Sequence, residues 1–351
     1  MNRHGMGIIG FGGMGSHHAR SIIPKDRMDI LGVYDIAPNR MEAARAEGYT
    51  TYESMDALLS NDDIELVLVA TPNNFHRDLC IEALRRGKNV ICEKPVTIHS
   101  EELSDIIDAA KQAGKIFTVH QNRRMDIDYL MVKKAAMQDQ LLGRLFSIES
   151  RVQGARGIPE GWRQYPVAGG GMMLDWGVHL IDQIMMMLPQ KVTSVYCKMY
   201  SIHYKDVDDC FKLFLEFEDG ITALVEVSTC TFIELPRWHV SGDKGTLLIP
   251  DWNCNGTVVR AKETEMQWEE DIVYTKAGPT KTMAPRPKHT IEEIKLEEPT
   301  TDYSQTYRAL ADAMEGNGKP LVDPAEAMRV MRVMEASFAS SKENKVIPVS
   351  I

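Results

Sequence analysis

The apolar residues of the first 120 positions cluster in short unbroken runs, Gly7-Ile8-Ile9, Asp29 to Val33, Leu66 to Val69, Asn89 to Cys92 and Ile116 to Val119, with longer helix-like stretches between them. A run without polar alternation fits a strand covered on both faces, as in a parallel sheet. Helices are predicted to begin near Met14, Asn39, Phe75 and Ser100, the first three after loops rich in Gly, Pro or Asn. The rhythm is that of a doubly wound α/β fold.

From about Gln121 the pattern changes. A helix from Tyr129 to Asp139, a strand from Leu145 to Arg151 and a glycine-rich stretch leading into another helix are followed by mostly β character. Thr193 to Tyr204, Cys210 to Glu218, Thr222 to Cys230 and Trp238 to Ser241 read as strands, with Glu218-Asp219-Gly220 as a hairpin turn. Consecutive strands without intervening helices imply an antiparallel sheet in an α+β half. Gly278 to His289, rich in Pro, Lys and Thr, reads as a loop, and amphipathic helices return at Asp302 to Glu315 and Pro324 to Ser341. A length of 351 residues suits two domains, drawn at 1–121 and 122–351.

Charge narrows the function. A net charge of -10 argues against a nucleic-acid binder, which needs a basic surface. The six cysteines are scattered and form neither a CxxC pair nor a zinc spacing, so a reduced, cytoplasmic protein without structural metal is expected. No stretch of roughly 18 apolar residues suggests a membrane span. The 21 methionines, including Met185-Met186-Met187, read as core filling.

Gly10-Phe11-Gly12-Gly13-Met14-Gly15 follows the first apolar run and opens a helix. In that setting GxGxxG binds a dinucleotide: the first glycine makes the tight turn, the second lets amides approach the pyrophosphate, and the third lets the helix pack close. Asp35, 20 residues beyond Gly15 at the end of the second strand, can accept from the ribose hydroxyls and would repel a 2′-phosphate, which favours NAD. It could instead cap the turn Asp35-Ile36-Ala37-Pro38, and Arg40 leaves NADP open.

Glu93-Lys94-Pro95 stands at the carboxyl end of the Asn89–Cys92 run, where ligands of open α/β sheets bind. A lysine there can stabilise a developing alkoxide or share in proton relay. In Gly169-Gly170-Gly171-Met172-Met173-Leu174-Asp175-Trp176-Gly177-Val178-His179, Asp175 and His179 are four apart on a helix, so the carboxylate is expected to orient the imidazole and raise its basicity. The same spacing could form a metal half-site, but no third ligand is evident. Trp162 and Arg163 could stack on a sugar or hold a carboxylate, or anchor a loop. Tyr303 or Tyr307 could enter the cleft but read first as core packing of their helix, and His17 and His18 read as helix-face residues.

Together the GxGxxG, Thr71-Pro72-Asn73-Asn74-Phe75-His76, Glu93-Lys94-Pro95 and Gly169 to Asp182 segments resemble the Gfo/Idh/MocA oxidoreductases along nearly the whole chain. The resemblance implies a Rossmann domain followed by an α+β domain whose open, mostly antiparallel sheet serves homodimer or homotetramer assembly. It implies Lys94, Asp175 and His179 as the reaction centre, with His179 the acid/base. By the same resemblance, Thr71, Pro72, Asn73, His76, Glu93 and Asn122 join the glycine loop around the cofactor, and Arg123 reaches substrate. The expected activity is NAD-dependent oxidation of a sugar, glycoside or inositol-like polyol. Two alternatives stand beside it: redox-neutral cleavage or isomerisation that recycles NAD, and a non-catalytic NAD-binding sensor.

Overall fold

The computed structural model describes residues 2–262, 272–281, 283 and 285–351. Its first five strands, β1 (His4–Ile9), β2 (Met28–Tyr34), β3 (Leu66–Val69), β4 (Asn89–Glu93) and β5 (Phe117–His120), form one parallel sheet in the order β2-β1-β3-β4-β5. The crossovers carry α1 (Gly13–His17), continued by a π-helical turn His18–Ile22, α2 (Pro38–Ala46), α3 (Met55–Leu59), α4 (His76–Arg85) and α5 (Ser100–Ala113). Local chemistry sets the limits of α5: the His99 and Glu102 side chains form a capping box at its start, and Gly114 ends it in the left-handed region.

The second half opens with α6 (Ile127–Val132), which runs on as a π-helical turn through Gln138. Its large sheet contains β6 (Leu145–Gln153), β7 (Val192–Tyr200), β8 (Cys210–Phe217), β9 (Thr222–Ser228), β10 (Trp238–Gly242), β11 (Gly245–Ile249) and β12 (Thr257–Ala261). A hairpin of β13 (Val273–Thr275) and β14 (Gly278–Thr280) stands apart, and β15 (Ile291–Lys295) and β16 (Ile347–Pro348) complete the sheet at its two edges. The nine strands run in the order β15-β12-β11-β10-β6-β9-β8-β7-β16, antiparallel except for β6 beside β9. Three long helical segments pack on these strands or on the first sheet: α7 (Val178–Met187), α8 (Gln305–Met314) and α9 (Pro324–Glu343).

Alternation along the buried strands sorts the core. Val67 and Val69 of β3 join α3, α4 and α5 in one cluster, whereas Leu66 and Leu68 join Ala19 and Ile22 of the turn that continues α1 on the other side. That second cluster is closed by Tyr307, Leu310 and Ala311 of α8, so a helix assigned by sequence to residues 122–351 covers the first sheet. Two local expectations are corrected. The strand begun at Val192 stops at Tyr200 instead of Tyr204, because the amides of Ile202, His203 and Tyr204 turn onto the Asp209 carboxylate. Part of the expected loop at 278–289 is strand, since Gly278–Thr280 pairs with Val273–Thr275; residues 282 and 284 lie outside the described residues.

Candidate functional site

The glycine loop leaves β1 under steric compulsion. Gly10 has φ +95, and a side chain there would press on the Ala70 carbonyl; a side chain on Gly15 would overlap the Gly10 carbonyl oxygen. Gly12 and Gly13 meet nothing within 4 Å of where a Cβ would stand, which leaves a cradle open to a pyrophosphate at the start of α1. Phe11 contributes backbone only: its ring is buried against Tyr49, and its amide donates to Asp35 Oδ2 at 2.7 Å. Asp35 Oδ1 accepts from Ala37 N at 2.8 Å, so the turn-capping role is realised, yet each carboxylate oxygen keeps a second acceptor position for a ribose hydroxyl. Met14 is half-buried beside the loop, and Arg40 is exposed at the start of α2.

Several residues expected to touch the cofactor have their side chains occupied inside the protein. Asn73 donates Nδ2 to the Gly169 carbonyl at 3.2 Å. His76 is fully buried between the carbonyls of Thr71 (2.8 Å) and Pro95 (3.0 Å), tying together the loops after β3 and β4. Glu93 turns inward: Oε1 accepts from His18 Nε2 at 2.6 Å and His120 Nδ1 at 3.0 Å, and Oε2 from the Lys94 amide at 3.2 Å. Tyr307 donates its hydroxyl to His18 Nδ1 at 2.7 Å. His18 is therefore the centre of a buried chain and not a helix-face residue, whereas His17 is exposed.

Electrostatics keep the His18 imidazole of that chain neutral beside a single anion. Burial, with His120 close by, pushes His18 down to about 4. Burial pushes Glu93 up, but the hydrogen bonds from His120 and His18 outweigh it and hold the carboxyl well below the usual range. The ligand atoms of His18, Glu93 and His120 lie within 4.8 Å of one another, but two hydrogen bonds already join them in a solvent-free setting. Thr71 and Pro72 are half-buried at the end of β3, and Asn122 is half-buried just past β5.

The carboxyl ends of β4 and the glycine run meet at Asp175. Gly171, with φ +99, packs against Asp208, whose carboxylate accepts from Met173 N at 2.7 Å and so caps the helical segment that carries Asp175 and His179. Lys94 Nζ reaches the Asp175 carbonyl (2.9 Å) and Oδ1 (3.1 Å), and Arg163 Nε reaches Oδ2 (2.9 Å). Burial raises the Asp175 carboxyl, but the charges of Lys94 and Arg163 overcome this and hold it below its ordinary value.

The expected bond between Asp175 and His179 does not form. Residues Met173–Gly177 wind as a π-helical turn before α7 begins, which breaks the simple four-residue register, and both carboxylate oxygens are engaged by Lys94 and Arg163. His179 is instead held neutral, well below the usual imidazole range, by burial and then by the positive charges of Lys94 and Arg123. Its Nδ1 is sealed from solvent without a hydrogen-bond partner.

Sequence reasoning missed an aromatic wall beside this ring. Trp176 lies edge-on to His179 at 6.0 Å between centroids, Arg123 stacks on Trp176 at 4.1 Å, and Trp252 stands 5.9 Å from Trp176. Trp176 was visible inside the motif; Trp252 comes from the distant loop after β11 and carries no local signal. Tyr303 also enters this region, donating its hydroxyl to Asp126 at 3.0 Å.

A family model described as an oxidoreductase family with an NAD-binding Rossmann fold matches residues 4–121, and a model of the GFO/IDH/MocA C-terminal domain matches residues 131–248. The chain belongs to the Gfo/Idh/MocA oxidoreductases. Its first domain is accordingly an NAD(P)-binding Rossmann fold, and its second the mixed, mostly antiparallel domain of the same family. Among solved structures, an NAD-binding protein from Listeria innocua superposes with a TM-score of 0.94 at 39% identity, covering 99% of this Gfo/Idh/MocA chain and 100% of the other. Curated relatives include the scyllo-inositol 2-dehydrogenase (NADP(+)) IolW of Bacillus subtilis, 26% identical over 97% of this chain and 95% of its own. Another is the 2,7-anhydro-N-acetylneuraminate hydratase of Escherichia coli, 28% identical over 76% of this chain and 74% of its own. No helix among the described residues is long and apolar enough to cross a membrane, and all six cysteines are free.

Proposed function

We propose that this chain is an NAD-dependent dehydrogenase that moves a hydride between a hydroxyl-bearing carbon of a sugar, glycoside or inositol-like polyol and nicotinamide. The observation that carries the reading is a neutral buried imidazole, His179, set near an ammonium and a carboxylate that are fixed to one another. An imidazole that is unprotonated at neutral pH can take a hydroxyl proton as hydride departs.

Gly12 and Gly13 fit the pyrophosphate, and Asp35 fits the adenosine ribose and disfavours a 2′-phosphate. Bound nicotinamide supplies the hydride acceptor. With Nδ1 of His179 sealed, Nε2 is the ring nitrogen to which a substrate hydroxyl can deliver its proton. Lys94, whose ammonium is held by two oxygens of Asp175, stabilises the oxyanion that develops on the same hydroxyl. Asp175 acts as a positioning anion for Lys94 and Arg163.

The hydratase among the relatives favours one second reading, in which hydride is taken and returned within a turnover. Both are tested by one screen: purified protein with NAD against polyols, aldoses, glycosides and sugar acids, following NADH absorbance and product mass. NADH accumulating with an oxidised product supports the dehydrogenase. Product forming while added NAD stays oxidised overturns it in favour of the redox-neutral reaction. Homo-oligomeric assembly through the second sheet belongs to the same proposal, and its support is the row of exposed Phe146, Tyr196, Tyr200 and Phe214 on that sheet.

A further inference from the structure

Arg123 and Arg163 approach the Asp175–His179 segment from different elements, one from the loop after β5 and the other from the loop before the glycine run. Each guanidinium lies over an indole, Arg123 at 4.1 Å from Trp176 and Arg163 at 4.5 Å from Trp162. Stacking occupies the face of the cation and leaves its in-plane N–H edge to bind a planar anion. That edge is only partly used. Arg123 gives Nη1 to Asp126 at 2.7 Å, and Arg163 gives Nε to Asp175 at 2.9 Å. Nη2 of Arg123 and both terminal nitrogens of Arg163 have no partner among the described residues, and the two side chains are 25% and 30% exposed.

The charge balance sets the size of the anion. Lys94, Arg123 and Arg163 face Asp175 and Asp126, and the buried Arg237–Asp128 pair behind them adds no net charge. Glu93 offsets the remaining positive charge but is shut in by His18, His120 and the Lys94 amide, so it offers no hydrogen bond to either guanidinium. A site with no net surplus of charge but with open guanidinium N–H edges suits a single carboxylate better than a phosphate dianion. Beside it, the half-buried Trp176, one face of which Arg123 covers, and the 46% exposed Trp252, with Arg237 at 5.0 Å, offer their remaining apolar surface to the C–H side of a sugar ring.

We propose that the substrate is a sugar acid whose ring lies on the Trp176–Trp252 wall and whose carboxylate is received chiefly by the free edge of Arg123. The inference rests on the reading of the His179 cleft as the substrate site. It is tested by calorimetric titration of the NADH-loaded protein with matched pairs, galacturonate against galactose and gluconate against glucitol, with glucose 6-phosphate as a third arm. The expected result is at least about tenfold tighter binding of an acid than of its neutral partner, as for hydrogen bonds to a charged group. R123Q should abolish that ratio, and R123K should keep part of it, since the charge remains and the fork is lost. Equal binding of acids and neutral sugars, no binding by any acid, a preference for the phosphate, or an unchanged ratio in R123Q overturns the inference. The two proposals fail separately: acid binding without any turnover of NAD leaves the inference and removes the dehydrogenase, whereas equal oxidation of neutral polyols does the reverse.

Discussion

The Lys94 ammonium contacts Asp175 twice, at 2.9 Å through the backbone carbonyl and at 3.1 Å through Oδ1, so the strand end of β4 is latched directly onto the segment that bears His179. The latch does electrostatic work as well as mechanical work. Its positive charge is among the causes that keep the neighbouring imidazole unprotonated.

Removing the ammonium should therefore have two separable effects. Lys94→Met is expected to lower turnover about a hundredfold through lost oxyanion stabilisation. It should also raise the affinity of His179 for its proton, because a repelling charge is gone. In the parent protein His179 titrates well below 6.5, so the acidic limb of kcat/KM lies below that pH and activity is full above it. In Lys94→Met the limb should move to higher pH. A pH profile that falls in amplitude without moving contradicts the electrostatic role.

Cofactor choice turns on Asp35, and the informative substitution is Asp35→Asn. Its carboxylate holds the amides of Phe11 and Ala37, so an alanine would disturb the loop as well as remove the charge. The amide side chain keeps an acceptor while abolishing repulsion of a 2′-phosphate. Fluorescence titration should show the NAD to NADP affinity ratio falling by about tenfold or more. An unchanged ratio assigns discrimination elsewhere.

Arg124 and Asp182 form a buried two-pronged pair, Nε to Oδ2 at 2.8 Å and Nη2 to Oδ1 at 2.6 Å, and Arg124 also reaches Glu326 of α9 at 2.8 Å. The pair fastens α7 to the loop after β5. Arg124→Met leaves a carboxylate buried and unpaired, and urea unfolding should register a loss of about 3–5 kcal/mol. The double variant with Asp182→Leu should recover much of that. A double variant no more stable than Arg124→Met would show that the cost lies in packing.

The fold was legible where burial is simplest. Strands covered on both faces appear as unbroken apolar runs, and all five strands of the first sheet were visible for that reason. Lys94 and Asp175 were legible as motif residues, but their pairing was not, since contact between positions 81 apart is a product of topology. The expected Asp175–His179 bond failed because a π-helical turn cannot be told from an α-helical one by spacing. Glu93 misled for a related reason: its partners His18 and His120, and the Tyr307 that holds His18, come from three other elements, and none advertises itself locally. Strands β11, β12 and β15 were missed because they are short and lie toward one edge of the second sheet, where the polar–apolar signal is weak.

Assembly is testable without a substrate. The outer face of β7 and β8 exposes Tyr196, Tyr200 and Phe214, and light scattering of the parent chain should give a mass above the 39.5 kDa of one copy. Tyr196→Glu combined with Phe214→Glu should shift the protein toward that single-chain mass. An assembly unaffected by both changes places the interface on another surface.

The most direct test of the reaction centre is His179→Ala, assayed on whichever compound the parent protein turns over, with the affinity for NAD measured on the same sample. Loss of an acid/base group should lower turnover by at least about a hundredfold while NAD binds as before. Turnover within a few fold of the parent value, at unchanged cofactor affinity, would contradict the role given to His179.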